Sequence, residues 1–405
     1  MKLSIIFSVF SALLISLSVK SQSCFGPYEV KQITNQNNPN ILKKVPFIGD
    51  SFADSAPPRF EIDGSVSLYG SGSDYLKFPL KNGLPGIHSL ITGGRPTIES
   101  FKMSHPDGTL LKPLELVEVP WDVTLETWPK WNHVKIMYGG VMTPPKGQLN
   151  ARWPVDNIGR RVYAFKLVNG IWRREKTPLT YPLTDNWIGH SYGHHFISDE
   201  NGKTWMFYDR VSEQKNNQPW KTEIFAKELI SPTRTSSKEH KIIGISAKPY
   251  PAQIRHFGGS LVEGPRPFAI SVAGKKVYVI SFSSGDFATN HYSINLAWSK
   301  KLLGPYQLVL NSAGSDLEDF GYHLRKGNHF GWGPSRAAFF QYKDQWYTLF
   351  QAVRTRLWPM QDFETWPSNW EGGIYRDIFL SQANFFWSND SGAESLSVCL
   401  GGSIR

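Results

Sequence analysis

Five stretches of this chain share one pattern: a polar turn, often with glycine, then residues that alternate between apolar and polar. They are FEIDGSVSLYGSGSD, WPKWNHVKIMYGG, FISDENGKTWMFYDR, FAISVAGKKVYVISFSSGD and AFFQYKDQWYTLFQAVR. Alternation with a period of two suits half-buried strands, so each turn is predicted to join two strands as a hairpin. No long run places apolar residues at i, i+3, i+4 and i+7, and the chain therefore reads as all-β. Taking the turns at Gly64, Asn132, Gly202, Gly274 and Asp344, the intervals are 68, 70, 72 and 70 residues. Five similar all-β units predict a five-bladed β-propeller, with four-stranded blades around a central channel. The alternative is a β-sandwich whose hairpins happen to be evenly spaced.

Composition agrees with this pattern. Aromatics make up 14% of the 405 residues, and 35 glycines and 27 prolines punctuate nearly every stretch. Hydrophobic content is ordinary and charge is modest, which excludes a disordered chain.

The first residues follow a different rule. MKLSIIFSVFSALLISLSVKSQS has a basic Lys2, an apolar run from Leu3 to Val19 and then small polar residues. That order predicts a signal peptide over residues 1–23, with Ser21 or Ser23 at the cleavage point and one propeller domain over 24–405. An N-terminal membrane anchor is the alternative, but the run is short for a span and Lys20 closes it. The expected location is outside the cell, in the periplasm or at the cell surface, with no stable membrane span. Two cysteines, Cys24 and Cys399, stand near opposite ends of the mature chain. In an exported protein they read as one disulfide that helps close the ring. A lipidated Cys24, or two unpaired thiols, are the other readings. The net charge of +10 suits acidic polymers or anionic surfaces. Lys and Arg are scattered, and export argues against nucleic acid as the partner.

The start of each innermost strand should ring one mouth of the channel. Counting back about ten residues from each turn gives Asp54, Asp122, Tyr192, Glu263 and Pro334; two residues further on come Ala56, Thr124, His194, Pro265 and Arg336. Arg266 lies near the same level. Carboxylates, a histidine and arginines thus recur at matching depth on different repeats.

These residues resemble glycoside hydrolase family 43. SLVEGPRPF with the following GKKVYVISFSSGDFATNHYSINLAWSKKLLGPYQLV resembles that family's fourth blade, where an EGP glutamate leads and A-x-S-x-x-x-x-GPY ends the run. ADSAPPRFEIDGSVSLYGSGSD is similar to its first blade, and FISDENGKTWMFYD to its third. The resemblance implies a glycosidase, expected to invert, acting on a poly- or oligosaccharide, with an acidic glycan among the candidates. By position it implies Glu263 as general acid and Asp54 as general base. A carboxyl donates to the departing glycosidic oxygen while a carboxylate activates water on the opposite face of the sugar. The family's third aspartate, before the third-blade hairpin, is replaced here by HSYGHHF, so Asp122, or Glu126 further along, is the candidate substitute. The family's fifth-blade histidine, near a channel metal, is replaced by GWGPSRAAFF. A central calcium ion is therefore implied by the family but not by these residues.

Tyr192, His194, Arg266, Arg336 and Trp332 are the candidate substrate contacts. His190, His194 and His195 could alternatively begin a zinc site, but Gly and Ser around them deny the helix that i, i+4 ligation needs, and no third ligand is evident. Other tryptophans are expected between blades, and residues 354–373 read as a loop over one face, either a substrate wall or an inter-blade connector. A carbohydrate-binding propeller without catalysis, and a transglycosylase or phosphorylase on the same scaffold, are the remaining readings.

Overall fold

The computed structural model describes residues 31–32, 57–70, 72–92, 96–111, 120–143, 159–180, 191–212, 221–243, 262–284, 293–311, 332–353, 376–390 and 392–400. They form five sheets, each built from a four-stranded antiparallel meander, arranged as a five-bladed β-propeller. The hairpin turns at Gly64, Asn132, Gly202, Gly274 and Asp344 all fall between the first and second strands of a blade, so the repeat read from the pattern is the blade itself. The sandwich is excluded.

Blade one contains β2 (Arg59–Phe60), β3 (Val66–Leu68), β4 (Asp74–Phe78) and β5 (Thr97–Ser100). Blade two contains β7 (Trp121–Trp128), β8 (Val134–Thr143), β9 (Gly159–Val168) and β10 (Ile171–Arg174). Blade three runs through β11 (Ser191–Ser198), β12 (Thr204–Ser212), β13 (Lys221–Ser231) and β14 (Arg234–Ile243). Blade four has β15 (Val262–Val272), β16 (Lys275–Ser284), β17 (Ser293–Ser299) and β18 (Gln307–Leu308). Blade five has β20 (Trp332–Tyr342), β21 (Gln345–Val353), β22 (Arg376–Asp390) and β23 (Ala393–Leu400).

Two short strands bind blades to the chain that enters them. β6 (Met103–Ser104) runs parallel to β10, and β19 (Leu310–Asn311) runs parallel to β23, so each incoming segment extends the outer edge of the next blade. The ring is joined at its ends by backbone pairing: β1 (Lys31–Gln32) lies antiparallel to β22, Lys31 opposite Leu380 and Gln32 opposite Phe379. Cys399 stands on β23 opposite Asn384, while Cys24 and residues 1–23 lie outside the described residues. No helix among the described residues is long and apolar enough to cross a membrane.

Alternation along the strands explains where the core sits. In β12, Met206 and Tyr208 face blade two, where they pack with Trp128, Ile136 and Tyr138; Trp205 and Phe207 face blade four, against Tyr278, Ile280 and Phe282. The same rule fills all five interfaces, including that between blades five and one, where Ala338, Leu349 and Leu380 meet Val66, Leu76 and Phe78. The helix α1 (Gly86–Thr92) adds Ile87, Leu90 and Ile91 to that last interface. Each fully buried Phe or Leu here is worth about 2–3 kcal/mol of burial. The core is thus five inter-blade layers, leaving the axis for polar side chains.

Candidate active site

A β-bulge at the same level of blades two to five builds the site. The register slips by one residue between Trp121 and Thr124, Tyr192 and His195, Glu263 and Arg266, and Ser335 and Ala338. Within each bulge one residue takes a left-handed backbone: Asp122 (φ 51), Gly193 (φ 64), Gly264 (φ 63) and Arg336 (φ 53). Glycine adopts this without cost and aspartate tolerates it, whereas an arginine there costs about 1–2 kcal/mol.

The bulges correct the levels counted from the sequence. Asp122 aligns with Gly193, Gly264 and Arg336, not with Tyr192 and Glu263, which stand level with Trp121 and Ser335. Arg336 is one residue earlier in its blade than His194 and Pro265 are in theirs. The bulged residue stands ten, nine, ten and eight residues before the turn in blades two to five, so a fixed offset from the turn reaches a different level in each.

In blades three to five the bulge amide is held by the blade before it. Gly193 N donates to Asp122 Oδ2 (3.0 Å), Gly264 N to Asp209 Oδ2 (2.7 Å), and Arg336 N to Ser283 Oγ (2.9 Å). The glycines also make room. A Cβ on Gly193 would lie 2.6 Å from the Asp209 carboxylate, and one on Gly264 would lie 2.3 Å from Arg336 NH1. Blade two is tied to blade one by Val123 N donating to Gly70 O (2.8 Å) and Gly72 N to Pro120 O (2.7 Å).

Side chains from four blades converge on this level. Tyr192 donates its hydroxyl to Glu263 Oε2 (2.8 Å), and the Arg336 guanidinium lies 3.3 Å from Asp122 Oδ1 and 3.7 Å from Glu263 Oε2. Arg266 donates from Nε to His195 Nε2 (3.2 Å) and from NH1 to the Arg336 carbonyl. Trp121 flanks the group edge-on to Tyr192, with the Arg160 guanidinium stacked on its ring. Glu263, Asp122, Arg266 and Arg336 are all buried, while Tyr192 and Trp121 keep partial exposure.

Burial pushes the Asp209 carboxyl well above the usual carboxylate range; Arg336 opposes this, and the Glu263 and Asp122 charges add to it. Burial, then the Glu263 and Asp209 charges, keeps the Tyr192 phenol protonated and hence a donor. His195 is held neutral by burial and by Arg266 beside it, and its Nε2 accepts the Arg266 proton.

Of the residues singled out in the sequence, the structure gathers Asp122, Tyr192, Glu263, Arg266 and Arg336. His194 stands elsewhere: fully buried between blades two and three, it meets Thr124 Oγ1 through Nε2 (3.2 Å) and packs on Tyr138 and Phe196. Burial lowers its pKa to about 3. Glu126 is half-buried, four residues along β7 from Asp122; burial raises its pKa to about 7, and the Arg59 charge opposes this. Asp54, His190 and the side chain of Trp332 lie outside the described residues. The sequence reading missed Asp209 and Ser283, both on second strands. Asp209 had one signal, a lone acid closing the apolar run TWMFYD. Among the described residues no group of three His, Cys, Asp or Glu side chains is placed to hold a metal ion.

The fold and this level of charged side chains define the class: a five-bladed propeller with a polar cluster on its axis. No protein-family model matches the sequence, and no curated protein matches it. Solved structures match the fold. One is a thermostable family-43 glycoside hydrolase, with a TM-score of 0.52 and 15% identity over 85% of this chain and 92% of that one. Another is an α-L-arabinofuranosidase from Lactobacillus brevis, with a TM-score of 0.53 and 12% identity over 85% of this chain and 93% of that one. The chain is therefore a structural match to the five-bladed propellers of glycoside hydrolase family 43 at low identity, and the likeness establishes the fold.

Proposed function

We propose that this protein is an exported glycoside hydrolase that cleaves a poly- or oligosaccharide with inversion. The observation that carries the reading is Glu263: a buried carboxyl just before the fourth-blade bulge, on the axis, oriented by Tyr192 and flanked by Arg336. In this reading Glu263 gives its proton to the glycosidic oxygen as the C1–O bond breaks. Asp54 takes a proton from the water that adds to C1 from the opposite face, leaving one carboxylate and one carboxylic acid to re-equilibrate with solvent. Arg336 and Tyr192 hold Glu263 in place, and Trp121 offers an aromatic surface beside it. The net charge of +10 favours an acidic glycan among the candidate substrates. Export and a Cys24–Cys399 bridge belong to the same proposal and rest on the N-terminal pattern and the cysteine count.

A polysaccharide screen, with product anomers followed by NMR, tests the reaction. Hydrolysis with inversion is expected, falling by at least about 100-fold in Glu263→Gln and Asp54→Asn. Full activity in both variants overturns the assignment, and glycan binding without turnover replaces it with a binding function. Intact mass before and after reduction tests the bridge: an unchanged mass overturns it.

A further inference from the structure

The family resemblance implies a calcium ion in the channel, and the residues present do not fit one. Calcium takes six to eight oxygen ligands. Most acceptors at this level are already engaged by protein donors; Asp209 Oδ1 is buried without one, and a single such oxygen falls far short of that ligand set. Asp122 receives Gly193 N and the Arg336 guanidinium, Glu263 Oε2 receives Tyr192, and Asp209 Oδ2 receives Gly264 N. Ser283 Oγ receives Arg336 N, His195 Nε2 receives Arg266 Nε, and the Arg336 carbonyl receives Arg266 NH1.

We infer that Arg266 and Arg336 are the resident cations of the channel, and that they brace the blades in place of a divalent metal. Their reach supports this. Arg336, on blade five, contacts Asp122 on blade two and Glu263 on blade four. Arg266, on blade four, contacts His195 on blade three and the blade-five backbone. Two guanidiniums thus link four blades across the axis, the linking task a channel ion would otherwise perform. Both are nearly fully buried, and planar guanidinium serves several acceptors at once in fixed directions. The local structure is shaped around them. Gly264 leaves the space that the Arg336 guanidinium fills, and Arg336 itself accepts a left-handed backbone to reach it. Fixed positive charge among these acceptors also repels a second cation.

The inference needs no assumption about the reaction, and its test uses no substrate. Full-length protein is stripped with EDTA, dialysed and assayed for calcium by elemental analysis, then melted with EDTA and with millimolar calcium chloride. Substoichiometric calcium and one melting temperature are expected. One calcium retained per chain, or a melt several degrees higher with calcium, overturns the inference. Arg266→Met should lower the melting temperature by on the order of 10 °C, with no recovery on adding calcium. Arg266→Lys, which keeps the charge and loses the fork, should fall between. If Arg266→Met melts with the wild type, the brace is refuted. If it does not fold, the Lys variant and the wild-type metal analysis decide alone.

Discussion

Arg336 and Asp122 are 214 residues apart and belong to blades that are not neighbours in the ring, yet their side chains stand 3.3 Å apart. The pair is buried, so neither charge has water as an alternative partner. Removing one member of such a pair is far more costly than the pair's own net worth. Arg336→Met should therefore lose about 3 kcal/mol or more of unfolding free energy, read from the urea midpoint. Adding Asp122→Asn to that variant should cost less than the two single losses summed. Strict additivity would mean that the contact carries no energy.

Gly264 combines two constraints that a control can separate. Gly264→Ala forces a β-carbon into the Arg336 guanidinium at a positive φ, whereas Gly274→Ala meets nothing within 4 Å at a similar φ of 72°. Strain alone should cost the Gly274 variant about 1 kcal/mol; the collision should add about 1–2 kcal/mol at Gly264. Equal losses would show that the guanidinium yields freely.

His194 gives an acid-side slope. Its folded pKa is about 3 against an ordinary 6.5, so the unfolded chain binds the extra proton between those values. Stability is then level above pH 6.5 and falls as the pH drops toward 3, by up to about 1.4 kcal/mol per pH unit for one group. His194→Gln should flatten urea midpoints measured across this window. An unchanged slope would mean the ring is charged in the folded protein.

Asp209 acts in the opposite sense. Its folded pKa is raised, so its contribution is full below the unfolded carboxylate value and is lost as pH rises through the folded one. Asp209→Asn keeps an acceptor for the Gly264 amide and removes the titration. The variant should match or exceed wild-type stability at pH 8, with the advantage shrinking as pH falls. A variant weaker than wild type at pH 8 would show that an ionised carboxylate is needed there.

The blades were legible because one turn and two alternating strands recur in each; Gly202 with WMFYD and Gly274 with VYVISF carry the pattern without help from neighbours. Glu263 was legible for a similar reason, since its Gly-Pro sequel marks the strand start. The alignment between blades was not. The spacing from bulge to turn differs by up to two residues between blades, the blade-five strand slips twice, and nothing in SYGHHF or EGPRPF announces which residue is extra. Asp209 escaped notice because its role comes from a neighbouring blade: only folding brings the Gly264 amide, 55 residues on, to its carboxylate.

The reach of Arg336 also sets a limit on how this molecule can vary. A guanidinium spans a fixed length, and here that length is the width of the axis. A sixth blade would enlarge the circumference and carry Asp122 out of range, so the spoke acts as a gauge of blade number. Duplication of a repeat, a ready way for such rings to grow, would leave a stranded charge at the centre.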